Sequence, residues 1–188
     1  MGFGISWLIP CGFGTDGYTA FNYAVSDKIG ISFGTWQAAF NCVLFVIVII
    51  CDRRNIGLGT IANMLVVGYS CDFFSMIWNR VLPSAFFANI WLRVVVAVPA
   101  LIIFVIAAAI YMDMGLGTSP YDALPFIIHK RTKKLSFRFV RITYDLIFIV
   151  IGYAFGAPFA VITLIMAFLL GPTVEMVGEK IKPLLESN

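Results

Sequence analysis

The sequence predicts an all-α membrane protein: a six-helix bundle made of two inverted three-helix repeats, each with a short broken, re-entrant helix after a GxGT motif. Three observations predict it. Hydrophobic residues fill 61% of the 188 positions and charged residues only 12%, with a mean hydropathy of +0.95, far from the balance of soluble domains. A glycine-broken phrase, GFGTDGYTA at residues 12–20, returns as GLGTSPYDA at 115–123. The basic residues crowd into some of the loops and avoid others.

Taken in order, the apolar spans run over 2–11, 33–51, 57–78, 92–112, 137–153 and 158–177, with Gly, Pro or charge clusters between them. A helix rises about 1.5 Å per residue and the hydrocarbon core is about 30 Å thick, so a ten-residue span reaches only half-way across. The first span is therefore either a half-helix or the end of a helix that starts upstream. The start MGFGISWLIP lacks a basic n-region, so no cleavable signal peptide is expected. Between the spans, 15–29 and 118–131 are shorter and semi-polar, and each opens on a helix-start signal. In the second, Ser119 is the predicted N-cap, Pro120 the first helical residue and Asp122 the capping-box acid. In the first, Thr15 or Asp16 caps and Gly17 replaces the proline. The polar stretches are too short for a separate soluble domain, which leaves one membrane domain with halves at 1–83 and 84–188.

The two halves agree beyond the glycine phrase. Ile31-Ser32-Phe33 meets Leu135-Ser136-Phe137, and Phe40-Asn41 meets Tyr144-Asp145. Thr60, Gly68 and Asp72 then meet Thr163, Gly171 and Glu175 at the same internal spacing, a sustained register that favours duplication. Three spans is an odd number, so the second copy enters the membrane from the opposite face. The charges follow: the loop after the glycine phrase holds Lys28 in the first copy, but Lys130, Arg131, Lys133, Lys134, Arg138 and Arg141 in the second. With Arg53, Arg54, Lys180 and Lys182 these define one side, while Lys28, Arg80 and Arg93 fall on the other. The positive-inside rule makes the richer side cytoplasmic and puts both termini there, in a multi-pass protein of the inner or plasma membrane.

The run GFGIS…GFGTDGYTAF…IGISFGT…IGLGTIANMLVVGYSCDFF, followed by MGLGTSPYDAL and LLGPTVEMV, resembles the YczE/YyaS/YitT group of bacterial integral membrane proteins, closest to the YczE-like branch, over nearly the whole chain. The resemblance implies a longer first helix and an acidic position after the proline. Asp122 matches that position; the first copy has Thr19 there. It implies no particular chemistry.

Function classes narrow accordingly. Neither a Ser/His/Asp arrangement nor a P-loop is present, so the chain is not expected to be an enzyme, and no cofactor or metal is called for. His129, beside Lys130 and Arg131, reads as a solvated interfacial histidine, and Cys11, Cys42, Cys51 and Cys71 as reduced thiols. Trp7, Trp36, Trp78 and Trp91 read as interfacial anchors. The basic cluster is expected on lipid headgroups, with no nucleic-acid partner. Inverted repeats with broken helices present helix N-termini to a solute near the midplane, so Thr15, Asp16, Tyr18, Thr118, Ser119, Tyr121 and Asp122 are candidate substrate-binding residues. The alternative is that the glycines serve only turns and close packing.

Embedded polar residues extend the candidate set. Asn41, Asn63, Arg141 and Asp145 are cavity candidates, and Asp72 and Glu175 are candidates for proton coupling. Against these stand an interhelical bond for Asn63, an intrahelical Arg141–Asp145 pair, an Asp72–Arg80 pair and an interfacial Glu175. The expected function is a secondary transporter or binder of a small polar, anionic metabolite. The alternatives are the substrate-binding membrane subunit of an energy-coupling importer, or a non-transporting regulator or scaffold. Glycine-rich faces make a homodimer an expectation.

Overall fold

Helix breaks and caps lay out the fold. The computed structural model describes residues 1–157 except 54, 55, 84, 133 and 134, and also residues 163 and 166–168. Seven α-helices are found among them: α1 Gly2–Cys11, α2 Gly17–Ile29, α3 Phe33–Cys51, α4 Leu58–Val81, α5 Ile90–Asp113, α6 Pro120–Thr132 and α7 Phe137–Ala154. A 3-10 turn at Phe86–Ala88 joins α4 to α5, and no strand occurs among the described residues. The two semi-polar segments are α2 and α6, both thirteen residues long. The span expected over 158–177 lies outside the described residues, apart from 163 and 166–168, which are helical.

The elements start and stop for local reasons. Gly12 and Gly14 have φ of 69° and 93°, and Gly115 and Gly117 have φ of 62° and 102°. These left-handed conformations are strained for any residue with a Cβ, so the glycine phrase breaks the chain in the same way at both sites. Asp16 then caps α2, its Oδ2 accepting from Thr19 N at 3.1 Å. Ser32 caps α3 through Thr35 N and Ser136 caps α7 through Phe139 N. Helices α4 and α5 outrun the hydropathy, the first because nothing interrupts it through Asn79 and Arg80 until Pro83, the second because Asn89 Oδ1 accepts from Trp91 N at 2.9 Å.

Two cores result. Helix α1 packs between α4 and α5, burying Ile5, Leu8, Cys11, Cys71, Ala100 and Phe104. Small residues bring the backbones close: a Cβ on Gly4 would stand 2.9 Å from the Ala100 carbonyl oxygen. The second core gathers α2, α3, α6 and α7 around Tyr18, Phe21, Val25, Leu44, Tyr121 and Phe148.

Apolar side chains also cover the outside, including Val43 and Ile50 on α3, Val66 on α4 and Val95 on α5. That surface suits lipid rather than water. Among the described residues three helices, Phe33–Cys51, Leu58–Val81 and Ile90–Met112, are long and apolar enough to cross a bilayer. At one end of the bundle Lys130 Nζ meets Asp52 Oδ2 at 2.6 Å and Arg131 reaches the Cys51 carbonyl, so the last turns of α3 and α6 coincide. Lys28 lies at the opposite end, 5.3 Å from the Phe155 ring centroid just past α7.

Candidate functional site

Charge enters the second core on α7. Residues four apart share a helix face, and Arg141 Nε meets Asp145 Oδ2 at 3.2 Å, the intrahelical pair the spacing suggests. The same guanidinium also reaches α6, where Nη1 meets Asp122 Oδ1 at 2.6 Å. The remaining carboxylate oxygens are engaged as well. Ser119 Oγ donates to Asp122 Oδ2 at 2.6 Å while accepting from Asp122 N, so the acid is fixed by the start of its own helix. The Tyr121 hydroxyl donates to Asp145 Oδ1 at 2.5 Å. Side-chain exposure is 15% for Arg141, 13% for Asp122 and 9% for Asp145, so the three charges sit largely out of water and each depends on the others.

Aromatic rings enclose this triad. Tyr121 packs on Tyr18 with centroids 4.1 Å apart and on Tyr144 at 4.8 Å, and the Arg141 guanidinium lies 5.4 Å from the Tyr121 ring centroid. The start of α2 is seated directly on α7: a Cβ on Gly17 would come 2.8 Å from Ile149 Cγ1 and 2.9 Å from the Asp145 carbonyl oxygen. That seat brings Asp16 within electrostatic reach of Asp122 and Asp145. Helix α3 lies on the far side with Asn41, Leu44 and Val48 along one face, while Gln37 packs against Gly68 of α4. Leu44 packs with Tyr18 and Tyr121, and Val48 with Ala123 and Ile127 of α6.

Several polar atoms here are buried without a hydrogen-bond partner: Asp16 Oδ1, the Tyr18 and Tyr144 hydroxyls, Trp36 Nε1, Thr118 Oγ1 and both amide atoms of Asn41. Asn41 is 1% exposed. Buried polar atoms are normally paired, so this core holds hydrogen-bonding capacity that the described residues leave unused.

The expected site residues divide. Asp16, Tyr18, Ser119, Tyr121, Asp122, Arg141 and Asp145 come together, with Asn41 on the facing stripe. Thr15 and Thr118 flank them in the glycine loops; Thr15 Oγ1 donates to the Asp16 carbonyl at 3.3 Å, and the Thr118 carbonyl accepts from Thr60 Oγ1 at 2.8 Å. Asn63 stands elsewhere, its amide 3.8 Å from Met1 Sδ. Asp72 also stands apart and accepts from Gly34 N at 2.9 Å, stabilising the first turn of α3 rather than pairing with Arg80. Glu175 lies outside the described residues.

Three participants were not anticipated: Tyr144, Trp36 and Thr60. Trp36 stacks on Phe40 with its ring nitrogen buried, so it belongs to the core and not to an interfacial belt. The signals for the others were Tyr144's place beside Asp145, and the phrase GLGT at 57–60, identical to 115–118. Those two phrases dock on each other, with Gly59 N donating to the Leu116 carbonyl at 2.9 Å.

A separate cavity of about 270 Å³ lies against the opposite face of α2, lined in part by Tyr23, Ser26, Asp27, Asp72 and Asn79. Helix α2 is thus the wall between an open polar cavity and the closed polar core.

Comparison with known proteins places the chain among bacterial relatives. Residues 1–179 match the model of a family described as "Family of unknown function (DUF6198)". The chain belongs to that family. It is 26% identical to the "Uncharacterized protein YyaS" of Bacillus subtilis over 172 residues, which cover 91% of this chain and 83% of that protein. It is 24% identical to the "Uncharacterized membrane protein YczE" of the same organism, over 91% of this chain and 77% of the relative. An "Uncharacterized protein" of Haemophilus influenzae is 23% identical, over 93% of this chain and 77% of its own length. These relatives bear out the resemblance carried by the glycine phrases. No solved structure matches.

Proposed function

We propose that the chain is a multi-pass plasma-membrane protein whose halves, 1–83 and 84–188, are inverted repeats, and that it binds a small polar solute between α2, α3, α6 and α7 and carries it across. The observation that carries the reading is the convergence of two short helix starts, at Asp16 and Ser119, on one buried cluster of charges and partnerless polar atoms. The repeats are supported by matched features: the left-handed glycines, the Ser32 and Ser136 caps, and the contact of Tyr18 with its counterpart Tyr121. Helices α2 and α6 each pack against both α3 and α7. With the basic ends of α3 and α6 in the cytoplasm, both termini are cytoplasmic as well.

Movement of one repeat against the other would pull α2 off α7 and part the cluster. No step of this cycle makes or breaks a covalent bond.

The test is a single cysteine at Asn41→Cys, with the native cysteines replaced. A small hydrophilic thiol reagent is applied to right-side-out and to inside-out vesicles. Labelling from both faces is the expected result. Labelling from one face only would leave a binding subunit or receptor, and labelling from neither would leave a structural or regulatory protein.

A further inference from the structure

The open cavity on the other face of α2 lies apart from the core cluster, and we infer that it is a second binding site, one that takes a small protonated amine from the Lys28 end of the bundle. Three helices each turn one face to it. Asp72, Ser75 and Asn79 recur at three- and four-residue spacing on α4, as Tyr23, Ser26 and Asp27 do on α2. Ser6, Ile9 and Pro10 follow the same spacing on α1. A polar stripe on a lipid-embedded helix is costly unless it is used, and here two such stripes line one space. From Cys71 to Asn79 the wall follows two turns of α4, a depth of about 12 Å.

The lining selects the sign of the ligand. It contains two carboxylates, Asp27 and Asp72, and no Lys, Arg or His. Asp27 is exposed and Asp72 partly exposed, and carboxylates open to water are ionised at neutral pH. Neither is in an ion pair among the described residues, where the pairs found are Lys130–Asp52, Arg141–Asp122 and Arg141–Asp145. The basic side chains near this end are engaged elsewhere or stand outside the lining: Lys28 Nζ lies over the Phe155 ring, Arg93 Nε donates to the Phe87 carbonyl, and Arg80 is not part of the wall. A recess lined by one sign of charge, with low-dielectric walls, focuses its field and concentrates the opposite ion. No group of three or more His, Cys, Asp or Glu able to hold a metal ion occurs among the described residues, which leaves an organic cation.

The hydrogen-bonding groups lead to the same class. Three donors of the lining are spent inside the protein: Trp78 Nε1 on Ser6 Oγ at 3.0 Å, Ser6 Oγ on the Phe3 carbonyl at 2.7 Å and Ser26 Oγ on the Tyr23 carbonyl at 2.9 Å. Ser26 is 2% exposed, and with its proton committed it can only accept, yet no donor among the described residues reaches that oxygen. Asp72 uses Oδ2 for Gly34 N and leaves Oδ1 open. The other donors are the Tyr23 and Ser75 hydroxyls, which can also accept, and the Asn79 amide. An ammonium brings three N–H donors to the acceptors on Ser26, Asp27 and Asp72. Phe33, Trp78 and Phe87 supply an apolar wall for the alkyl part of the same molecule.

The experiment is a thermal melt of the purified full chain in detergent, titrated with butylammonium chloride, sodium butyrate and butyramide at constant ionic strength. Butylammonium is expected to raise the melting temperature by on the order of 5 °C at about a hundredfold excess over its dissociation constant, and the other two to leave it unchanged. Asp27→Asn alters an exposed side chain and Asp72→Asn keeps an oxygen to accept from Gly34 N, so both variants should fold. Each should weaken the apparent affinity for the amine about tenfold, the loss of one charge-assisted hydrogen bond. Asp52→Asn, at the opposite end of the bundle, should leave that affinity unchanged. Stabilisation by butyrate or butyramide in place of the amine overturns the inference, as does an amine response undiminished in both cavity variants or equally diminished by Asp52→Asn. A melt that no solute moves also overturns it. None of the cavity residues belongs to the core cluster, so the result is independent of the labelling at Asn41.

Discussion

Arg141 is the residue on which the candidate site turns. It draws together Asp122 from α6 and Asp145 from its own helix, and both pairs are largely shielded from water. Removing one member of a buried pair strands the other, so Arg141→Gln should lower the unfolding free energy by about 3–5 kcal/mol. Arg141→Lys should recover only part of the loss, since an ammonium cannot present two separated donor directions. Denaturant titration in mixed micelles measures both, and a loss for Arg141→Gln below about 1 kcal/mol would show the triad to be solvated. The pairing with Asp145 was legible in the sequence, because four-residue spacing puts two side chains on one face. The pairing with Asp122 was not, because it depends on how two helices are set against each other, and nothing local to residue 122 encodes that.

At the scale of elements, the glycine phrase carried most of the legible information. It announced the breaks, the short helices and their caps, all of which follow from backbone conformation and near-neighbour bonds. What it did not reveal was that each phrase is also a docking surface. Gly117 shows the difference. Its φ is 102°, and an added Cβ would overlap the Gly57 backbone nitrogen and stand 2.6 Å from Thr60 Oγ1. Gly115 has a φ of 62°, and a Cβ there would meet nothing within 4 Å. Gly115→Ala should therefore cost only its left-handed strain, about 1–2 kcal/mol. Gly117→Ala should cost clearly more, because the loop must also lift from the start of α4. Equal melting temperatures for the two variants would mean that the phrase serves turns alone. The Asp72 bond to Gly34 N was likewise hidden, since it joins residues 38 apart through a helix crossing.

For the whole molecule, the arrangement of charged ends predicts how the chain sits in a bilayer. Asp52 and Lys130 are in contact, and Lys28 lies at the far end of the bundle. Single cysteines at Asp52→Cys and Lys130→Cys should react with an impermeant reagent from the same face, and Lys28→Cys from the opposite one. Reaction of Asp52→Cys and Lys130→Cys from different faces would break the inverted arrangement of the halves. The apolar spans and the asymmetry of basic loops were readable from the order of residues along the chain. The division into two cores was not, because the long helices α3, α4 and α5 are apolar on several faces and hydropathy does not say which face meets protein.

The aromatic cluster has a practical consequence. Tyr18, Tyr121 and Tyr144 stand 4–5 Å apart in sequence of contact and adjoin Phe148, in a fixed chiral setting. Rings held so closely couple their electronic transitions, so the native protein should show a strong near-ultraviolet circular dichroism band that needs no attached dye. Separation of α2 from α7 would weaken that band, giving an intrinsic optical readout of whether the core is shut or parted.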